Sequence, residues 1–169
     1  MDRPHQRIGS PSNAHVGASF EAEALAHFAK QGITLTRNFQ VQIGLHLKKS
    51  HRFDLGLESP KMIVECKSHR WTVGARVPSA KMTVWNEAMF YFVLVPPEFR
   101  RVLFVLHDRR GGEGETLLSY YQRTYAHLIP AGVEFLEFDA ASRAIVATGK
   151  AQPSGRGEPP PAIVFARPF

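Results

Sequence analysis

The sequence predicts a single α/β domain in which a mixed central sheet is flanked by helices. The chain has 169 residues, 44% of them hydrophobic, which is enough for one compact core. Apolar residues recur at helical spacing in some segments and at alternate positions in others. A continuous apolar run at 102–106 is typical of a strand covered on both faces, which is the usual arrangement in α/β sheets.

Helices are predicted at 16–31, 79–92 and 116–127. In the first, Phe20, Ala24 and Phe28 recur every four residues, and Gly32 follows as a C-terminal cap. In the second, large apolar residues recur every three or four positions before Pro96-Pro97: Met82, Trp85, Met89 and Phe92.

Strands are predicted at 37–47, 52–57, 62–67, 101–107, 133–138 and 144–147. The first alternates apolar and polar residues from Phe39 to Leu47, and Lys48-Lys49-Ser50 is expected to form a basic turn after it. The strand at 101–107 is expected at the centre of the sheet, and a turn near Asp139 divides the last two strands.

The domain is predicted to span 1–148, with its core at 16–107. A Gly- and Pro-rich segment follows at 149–169, and its last residues, 162–169, are expected either to dock as a strand or to stay free.

The composition bears on the cellular compartment of the protein and on the kind of molecule that it binds. The N-terminus has no apolar signal region, and no run of about 18 apolar residues is present, so neither secretion nor membrane contact is expected. Cys66 is the only cysteine, which excludes an intramolecular disulfide and a multi-cysteine zinc site and agrees with the cytoplasm. The formal charge of +6 favours an anionic partner, and nucleic acid is the leading candidate.

A predicted hairpin brings together the residues that carry the chemistry. A turn centred on Ser59-Pro60 sets Asp54 opposite Glu65. Because side chains alternate along a strand, Glu65 and Lys67 are expected on one face, with Cys66 on the other as a small buried residue.

The partner strand is expected to turn one side to the core. Phe53, Leu55 and Leu57 should then face one way, which leaves Arg52 and Asp54 on the polar face with Glu65 and Lys67.

Two opposed carboxylates predict a cation between them. Their Cβ atoms would lie roughly 4.5–5.5 Å apart, so Asp54 and Glu65 would repel each other without one. Oxygen ligands suit Mg²⁺, with Mn²⁺ as a substitute, and substrate phosphate would complete the coordination shell. The metal would activate a water and offset phosphate charge, while Lys67 would position the water or stabilise the transition state.

Arg52-Phe53-Asp54, ten intervening residues and Glu65-Cys66-Lys67 resemble the hallmark of the PD-(D/E)xK nuclease superfamily, which includes restriction endonucleases and Holliday-junction resolvases. The predicted order of helix, three strands, helix and strand across 16–107 resembles the core of that superfamily. Gly17-Ala18-Ser19-Phe20-Glu21 resembles the element that places a further acidic residue on the first helix. The chain departs from the pattern at Phe53, where the family name has proline, so no subfamily is assigned.

The resemblance implies a restriction-endonuclease-like fold and a Mg²⁺-dependent endodeoxyribonuclease of the restriction or repair type, acting on DNA rather than RNA. The catalytic residues it implies are Asp54, Glu65, Lys67 and Glu21. The metal ligands it implies are Asp54, Glu65 and the backbone carbonyl of Cys66. Glu23 remains open as the alternative to Glu21.

Several basic residues are candidates for contact with nucleic acid through phosphate: Lys48, Lys49, Arg52, His69, Arg70 and Lys81. The alternative for each is an ordinary solvated loop or helix end. A two-fold homodimer is also expected, because equivalent sites would then cut both strands of a duplex.

Two other interpretations remain open. The chain could be a nucleic-acid-binding module or subunit that retains the fold without cleavage. The motif could also be fortuitous in an unrelated protein, in which case Asp54 and Glu65 should lie on different faces.

Overall fold

The computed structural model describes residues 13–152. Three helices and six strands follow one another as α1 (Asn13–Ala29), β1 (Thr36–Ile43), β2 (Lys49–Leu57), β3 (Met62–Lys67), α2 (Ser79–Leu94), β4 (Arg100–Leu106), α3 (Leu117–Thr124), β5 (Glu134–Asp139) and β6 (Ala144–Lys150). The six strands form one sheet in chain order. β3, β4 and β5 run parallel and the other neighbours antiparallel, so the sheet is mixed, as predicted.

The helices cover the sheet on both faces. α1 packs on one face through Phe20, Ala24 and Phe28, all of which are buried there. α2 and α3 pack together on the other face, with Trp85 and Tyr121 fully buried in the same cluster. This division follows from the chain order, because right-handed crossovers from β3 to β4 and from β4 to β5 put both connecting helices on one side.

The predicted helices form with shifted ends. α1 ends at Ala29, and Gly32 follows with φ of 76°, the left-handed conformation that favours glycine after a helix. α3 is shorter than predicted: Thr116 caps its N-terminus by accepting from the Ser119 amide, and a separate 3-10 turn, Ala126–Leu128, follows it.

The first strand ends four residues earlier than predicted. Gly44 has φ of 147°, and a Cβ added there would lie 2.0 Å from the Leu47 carbonyl oxygen, so the chain turns at a position that only glycine fits. Leu45 and Leu47 are 82% and 86% exposed, because they lie in the loop rather than on a half-buried strand. Lys49 already belongs to β2, so the predicted basic turn at 48–50 is wrong.

The hairpin of β2 and β3 has the predicted register, with the pairs Leu55–Val64, Gly56–Ile63 and Leu57–Met62. Asp54 forms no such pair, so the expectation that it lies directly opposite Glu65 in the hairpin is wrong. It lies opposite Asn38, since β1 and β2 pair Arg37 with Leu55 and Phe39 with Phe53.

At Asp54, the apolar side chains of β2 switch from one face of the sheet to the other. Phe53 packs in the α2 cluster, whereas Leu55 and Leu57 pack in the α1 cluster, so the expectation that all three face one way is wrong. The change coincides with Asn38, whose φ of 54° is left-handed and interrupts regular strand geometry opposite Asp54.

The position of β4 in the sheet is as predicted. β4 lies between β3 and β5, and its apolar run is buried from Val102 to Leu106. β6 continues through Gly149 and Lys150, two residues that the sequence assigned to the C-terminal segment. The predicted terminal strand at 162–169 lies outside the described residues. Within residues 13–152, no helix combines the length and apolarity needed to cross a bilayer.

Candidate active site

Asp54, Glu65 and Lys67 line one cleft of about 230 Å³ beside α2, which we call the carboxylate cleft. The hairpin of β2 and β3 forms its floor and α2 its wall. Its lining residues are His51, Arg52, Asp54, Glu65, Lys67, Val84, Glu87, Ala88 and Tyr91. The two carboxylates therefore share a face.

Asp54 is held where regular pairing between β2 and β3 stops. Its Oδ2 accepts a hydrogen bond of 2.8 Å from the backbone N–H of Cys66. The Cys66 amide lies beyond the last hairpin pair, Leu55–Val64, and the Asp54 carboxylate gives it a hydrogen-bond acceptor. This bond fixes Asp54 next to Glu65 and Lys67.

Glu65 and Lys67 form a buried ion pair. Nζ of Lys67 donates to Oε2 of Glu65 at 2.5 Å, and the two side chains are 11% and 9% exposed respectively. Burial raises the pKa of Glu65, Lys67 opposes that rise, and Asp54 adds to it. Burial lowers the pKa of Lys67, but Glu65 and Asp54 outweigh it and raise the pKa, so the lysine is charged at neutral pH.

Glu21, on α1, is not among the residues that line the carboxylate cleft. It forms an ion pair with Arg37 of β1, and its pKa is raised first by burial and then by the charge of Asp54. Glu23 instead pairs with Arg143 at 2.9 Å, near the β5–β6 turn. Of the two acids that the sequence left open, Glu21 is the one whose pKa responds to the charge of Asp54.

The donors of this cluster suit a hard divalent cation. Asp54 and Glu65 offer carboxylate oxygens, the ligands that Mg²⁺ prefers. Glu65 is buried beside Asp54, an arrangement that raises its pKa and that a cation would relieve. Within residues 13–152, no group of three Asp, Glu, His or Cys side chains is arranged to hold a metal, so waters, the Cys66 carbonyl and substrate phosphate would have to complete the shell.

Cys66 points away from the cleft, as predicted. Its side chain packs against the α1 cluster on the other face of the sheet. Burial raises the pKa of its thiol well above the ordinary value, and the charges of Asp54 and Glu65 raise it further. A nucleophilic thiolate is therefore disfavoured here.

Three of the predicted phosphate contacts lie at the β1–β2 hairpin. Arg52 lines the carboxylate cleft, and both Arg52 and Lys49 line a larger adjoining pocket. Lys48 donates to the Gly44 carbonyl at 2.9 Å, so it braces the loop. Arg52 is the basic candidate that the fold brings beside Asp54.

The other three candidates lie around the loop between β3 and α2. Nε1 of Trp85 donates to Nδ1 of His69 at 2.8 Å, and burial lowers the pKa of His69 to about 4, with Lys81 and Lys67 contributing. His69 is therefore neutral at pH 7 and carries its proton on Nε2. Arg70 pairs with Asp108 at 3.2 Å, and Lys81 is exposed in the first turn of α2.

The structure adds four residues that the sequence did not single out: Arg37, His51, Glu87 and Tyr91. The Tyr91 hydroxyl donates to Glu87 at 3.0 Å, and the Tyr91 and His51 rings lie 3.8 Å apart. The spacing of Glu87 and Tyr91, four residues apart on a helix, is a signal of proximity, but nothing local links either residue to β2.

Searches against protein-family models, curated proteins and solved structures find no match to this chain. The resemblance to the PD-(D/E)xK superfamily therefore remains a prediction, based on the residues of the hairpin and on their geometry in the carboxylate cleft.

Proposed function

We propose that this protein is a divalent-metal-dependent endonuclease that hydrolyses phosphodiester bonds in DNA, with a restriction-endonuclease-like fold. The observation that carries the proposal is the convergence of Asp54, Glu65 and Lys67 in one cleft, at the end of a hairpin of the predicted register. The order of α1, three strands, α2 and β4 supports the same assignment.

Asp54, Glu65 and the Cys66 carbonyl would hold the metal ion. Bound Mg²⁺ would supply a water of lowered pKa and positive charge near the scissile phosphate. Asp54 is oriented for this by the Cys66 amide, which occupies one of its oxygens and leaves the other for a cation. Oxygen-only ligation is the reason for preferring Mg²⁺ or Mn²⁺ to zinc.

Lys67 would act as a cation rather than as a base. The carboxylates beside it raise its pKa, so it keeps its proton at neutral pH. A charged ammonium in a buried cleft favours the extra negative charge that develops on the phosphate oxygens, and it can hold a water by hydrogen bonding. Lys67 would exchange its bond to Glu65 for these contacts when substrate binds.

Glu21 would assist from α1. Its ion pair with Arg37 fixes its position, and the charge of Asp54 contributes to its raised pKa. It is a positioning residue in this account and would tune the cation affinity of the two hairpin carboxylates.

One observation favours the non-catalytic alternative, a nucleic-acid-binding module that keeps the fold. Lys67 already neutralises Glu65 through a bond of 2.5 Å, and Arg37 pairs with Glu21, so most of the cluster is compensated without a metal. On that interpretation the pair is structural, and Arg52 and Lys49 bind phosphate without cleavage.

Incubation with supercoiled, linear, branched and single-stranded DNA in Mg²⁺, Mn²⁺ or EDTA separates the two functions. We expect cleavage only with a divalent metal. Glu65→Ala and Lys67→Ala should each lower the rate by more than the roughly 10- to 100-fold typical of an outer-shell change. Lys61→Ala is the matched control, because Lys61 pairs with Glu98 away from the cleft.

Binding without cleavage by the wild type, under every metal condition, would favour the non-catalytic module. Equal cleavage by the wild type and both cleft variants would contradict the catalytic assignment. A two-fold homodimer remains part of the proposal for duplex DNA, and sedimentation velocity with and without duplex tests it.

A further inference from the structure

A second and larger cavity adjoins the carboxylate cleft. It measures about 630 Å³ and shares His51, Arg52 and Tyr91 with the cleft. We call it the β1–β2 pocket, because the hairpin of those strands forms most of its wall. A strand of nucleic acid with a phosphate in the cleft would pass the three shared residues to enter the pocket.

The β1–β2 pocket combines apolar walls with a cationic edge. Ile43, Leu47 and Leu94 supply aliphatic surface, and Lys49 and Arg52 supply charge. Among the described residues that line the pocket, none is acidic, whereas the carboxylate cleft contains three carboxylates. Neither cation forms an ion pair with another residue of the part of the chain that the structure describes.

The junction between the two cavities is aromatic. The Tyr91 and His51 rings lie 3.8 Å apart at an interplanar angle of 31°. The Tyr91 hydroxyl donates to Glu87, which ties the ring to α2, and His51 also meets the buried Phe53 ring edge to face. The Tyr91 and His51 rings are therefore held in place, so little side-chain conformational entropy would be lost when a ligand binds against them.

We propose that the β1–β2 pocket binds one unpaired nucleotide of the DNA strand that is cut, next to the scissile phosphate. The apolar walls and Tyr91 would hold the base, and Arg52 and Lys49 would hold its phosphate. The inference rests on the proposed function, since it takes the carboxylate cleft as the place of the scissile phosphate.

Size and chemistry both fit a nucleotide. The volume of about 630 Å³ lies within the roughly 300–1,000 Å³ of small-molecule pockets. A base has flat apolar faces and an anionic phosphate attached, which matches aliphatic walls edged by cations. A bare phosphate would leave the apolar walls uncovered, and an apolar peptide would leave both cations unpaired.

An intact duplex cannot fill this pocket, because its bases are paired and stacked inside the helix. Extruding a base costs a few kcal/mol, and least where the base is already unpaired. The preferred substrate is therefore DNA with an unpaired nucleotide beside the cut, such as a flap, a bubble or a single-stranded end.

Fluorescence anisotropy in EDTA tests the pocket apart from cleavage. The probes are a labelled single strand, its blunt duplex and the same duplex with a single-stranded flap that carries 2-aminopurine at the junction. We expect the flapped duplex to bind more tightly than the blunt one and the 2-aminopurine to be quenched. Tyr91→Ala should weaken flap binding by about 5- to 100-fold, the range expected for one lost base–aromatic stack.

Two further variants keep the test interpretable. Tyr91→Phe keeps the ring and should keep most of the binding and quenching. Phe90→Ala is the matched control, because Phe90 is the neighbouring aromatic, 52% exposed, and lines neither cavity. Equal binding of blunt and flapped duplex by the wild type, or equal losses in Tyr91→Ala and Phe90→Ala, would overturn the proposal.

The same probes in Mg²⁺ separate this inference from the proposed function. A flap preference that depends on Tyr91, without cleavage of any probe, would contradict the nuclease and support the pocket. Cleavage of blunt and flapped duplex at equal rates, unchanged in Tyr91→Ala, would contradict the pocket and support the nuclease.

Discussion

The carboxylate of Asp54 accepts the backbone N–H of Cys66 at 2.8 Å, just beyond the last regular pair of the β2–β3 hairpin. One side chain thereby closes the end of the hairpin and points into the carboxylate cleft. A residue with both roles should affect stability and chemistry separately, depending on which atoms a substitution retains.

Asp54→Ala should destabilise the protein, whereas Asp54→Asn should not. Alanine leaves the Cys66 amide without its acceptor, at a cost of about 1–3 kcal/mol, while the asparagine oxygen can replace the carboxylate. Urea unfolding of both variants without metal measures the difference. Equal stability of the two variants would mean that the hydrogen bond contributes nothing.

Lys67→Met should be strongly destabilising in the absence of metal. It leaves Glu65 without its counter-charge in a site where its side chain is only 9% exposed, and breaking such a buried pair costs about 3–5 kcal/mol. The double variant Glu65→Leu, Lys67→Met should recover most of that loss, because no buried charge remains. Thermal unfolding of the three proteins checks this, and a double variant no more stable than Lys67→Met would contradict it.

Glu21→Ala and Glu23→Ala form a matched pair on α1. In the proposed function Glu21 assists the hairpin carboxylates, so its loss should lower metal-dependent cleavage by about 10- to 100-fold. Glu23 pairs with Arg143 instead, and its loss should leave the rate unchanged. Initial rates over a range of Mg²⁺ concentrations compare the two, and equal effects would remove Glu21 from the site.

His69 should make the protein less stable in acid. Its pKa is about 4 in the folded state against an ordinary 6.5, so between these values the unfolded chain binds a proton that the folded protein does not. The stability contributed at neutral pH is therefore lost as the pH falls through 6.5 towards 4. After allowance for partial exposure, the loss is about 1–2 kcal/mol.

Urea unfolding between pH 7 and pH 4, followed by intrinsic tryptophan fluorescence, measures this loss. His69→Gln should flatten the dependence, while His46→Gln, in the exposed hairpin loop, should retain it. A steep dependence that persists in His69→Gln would assign the effect to other groups.

The sequence predicted those parts of the site that local rules determine. Strand periodicity and the Ser59-Pro60 turn were sufficient for the pairing of Leu55 with Val64, and alternation then placed Glu65 and Lys67 together. The buried face of α2 was also predictable, because apolar residues such as Met82 and Trp85 recur there at helical spacing.

The same rules failed where a single backbone conformation overrides periodicity. Leu45 and Leu47 continue the alternation of β1, but the left-handed turn at Gly44 exposes them. Phe53 and Leu55 pack in different clusters, and the change falls where β1 is irregular, at Asn38 opposite Asp54.

Other parts of the site depend on contacts between distant segments. Arg37 of β1 pairs with Glu21 of α1, and the ring of Tyr91 on α2 lies against that of His51 on β2. No spacing along the chain encodes either contact, so these residues appear only once the elements are packed together.

The nicking of supercoiled plasmid in Mg²⁺ by the wild type and by Asp54→Asn tests the central claim most directly, because asparagine should retain the hydrogen bond to Cys66 and therefore the fold. We predict that the wild type nicks the plasmid, that EDTA abolishes nicking, and that a folded Asp54→Asn is slower by at least about 100-fold. Equal nicking by the wild type and a folded Asp54→Asn would contradict the account.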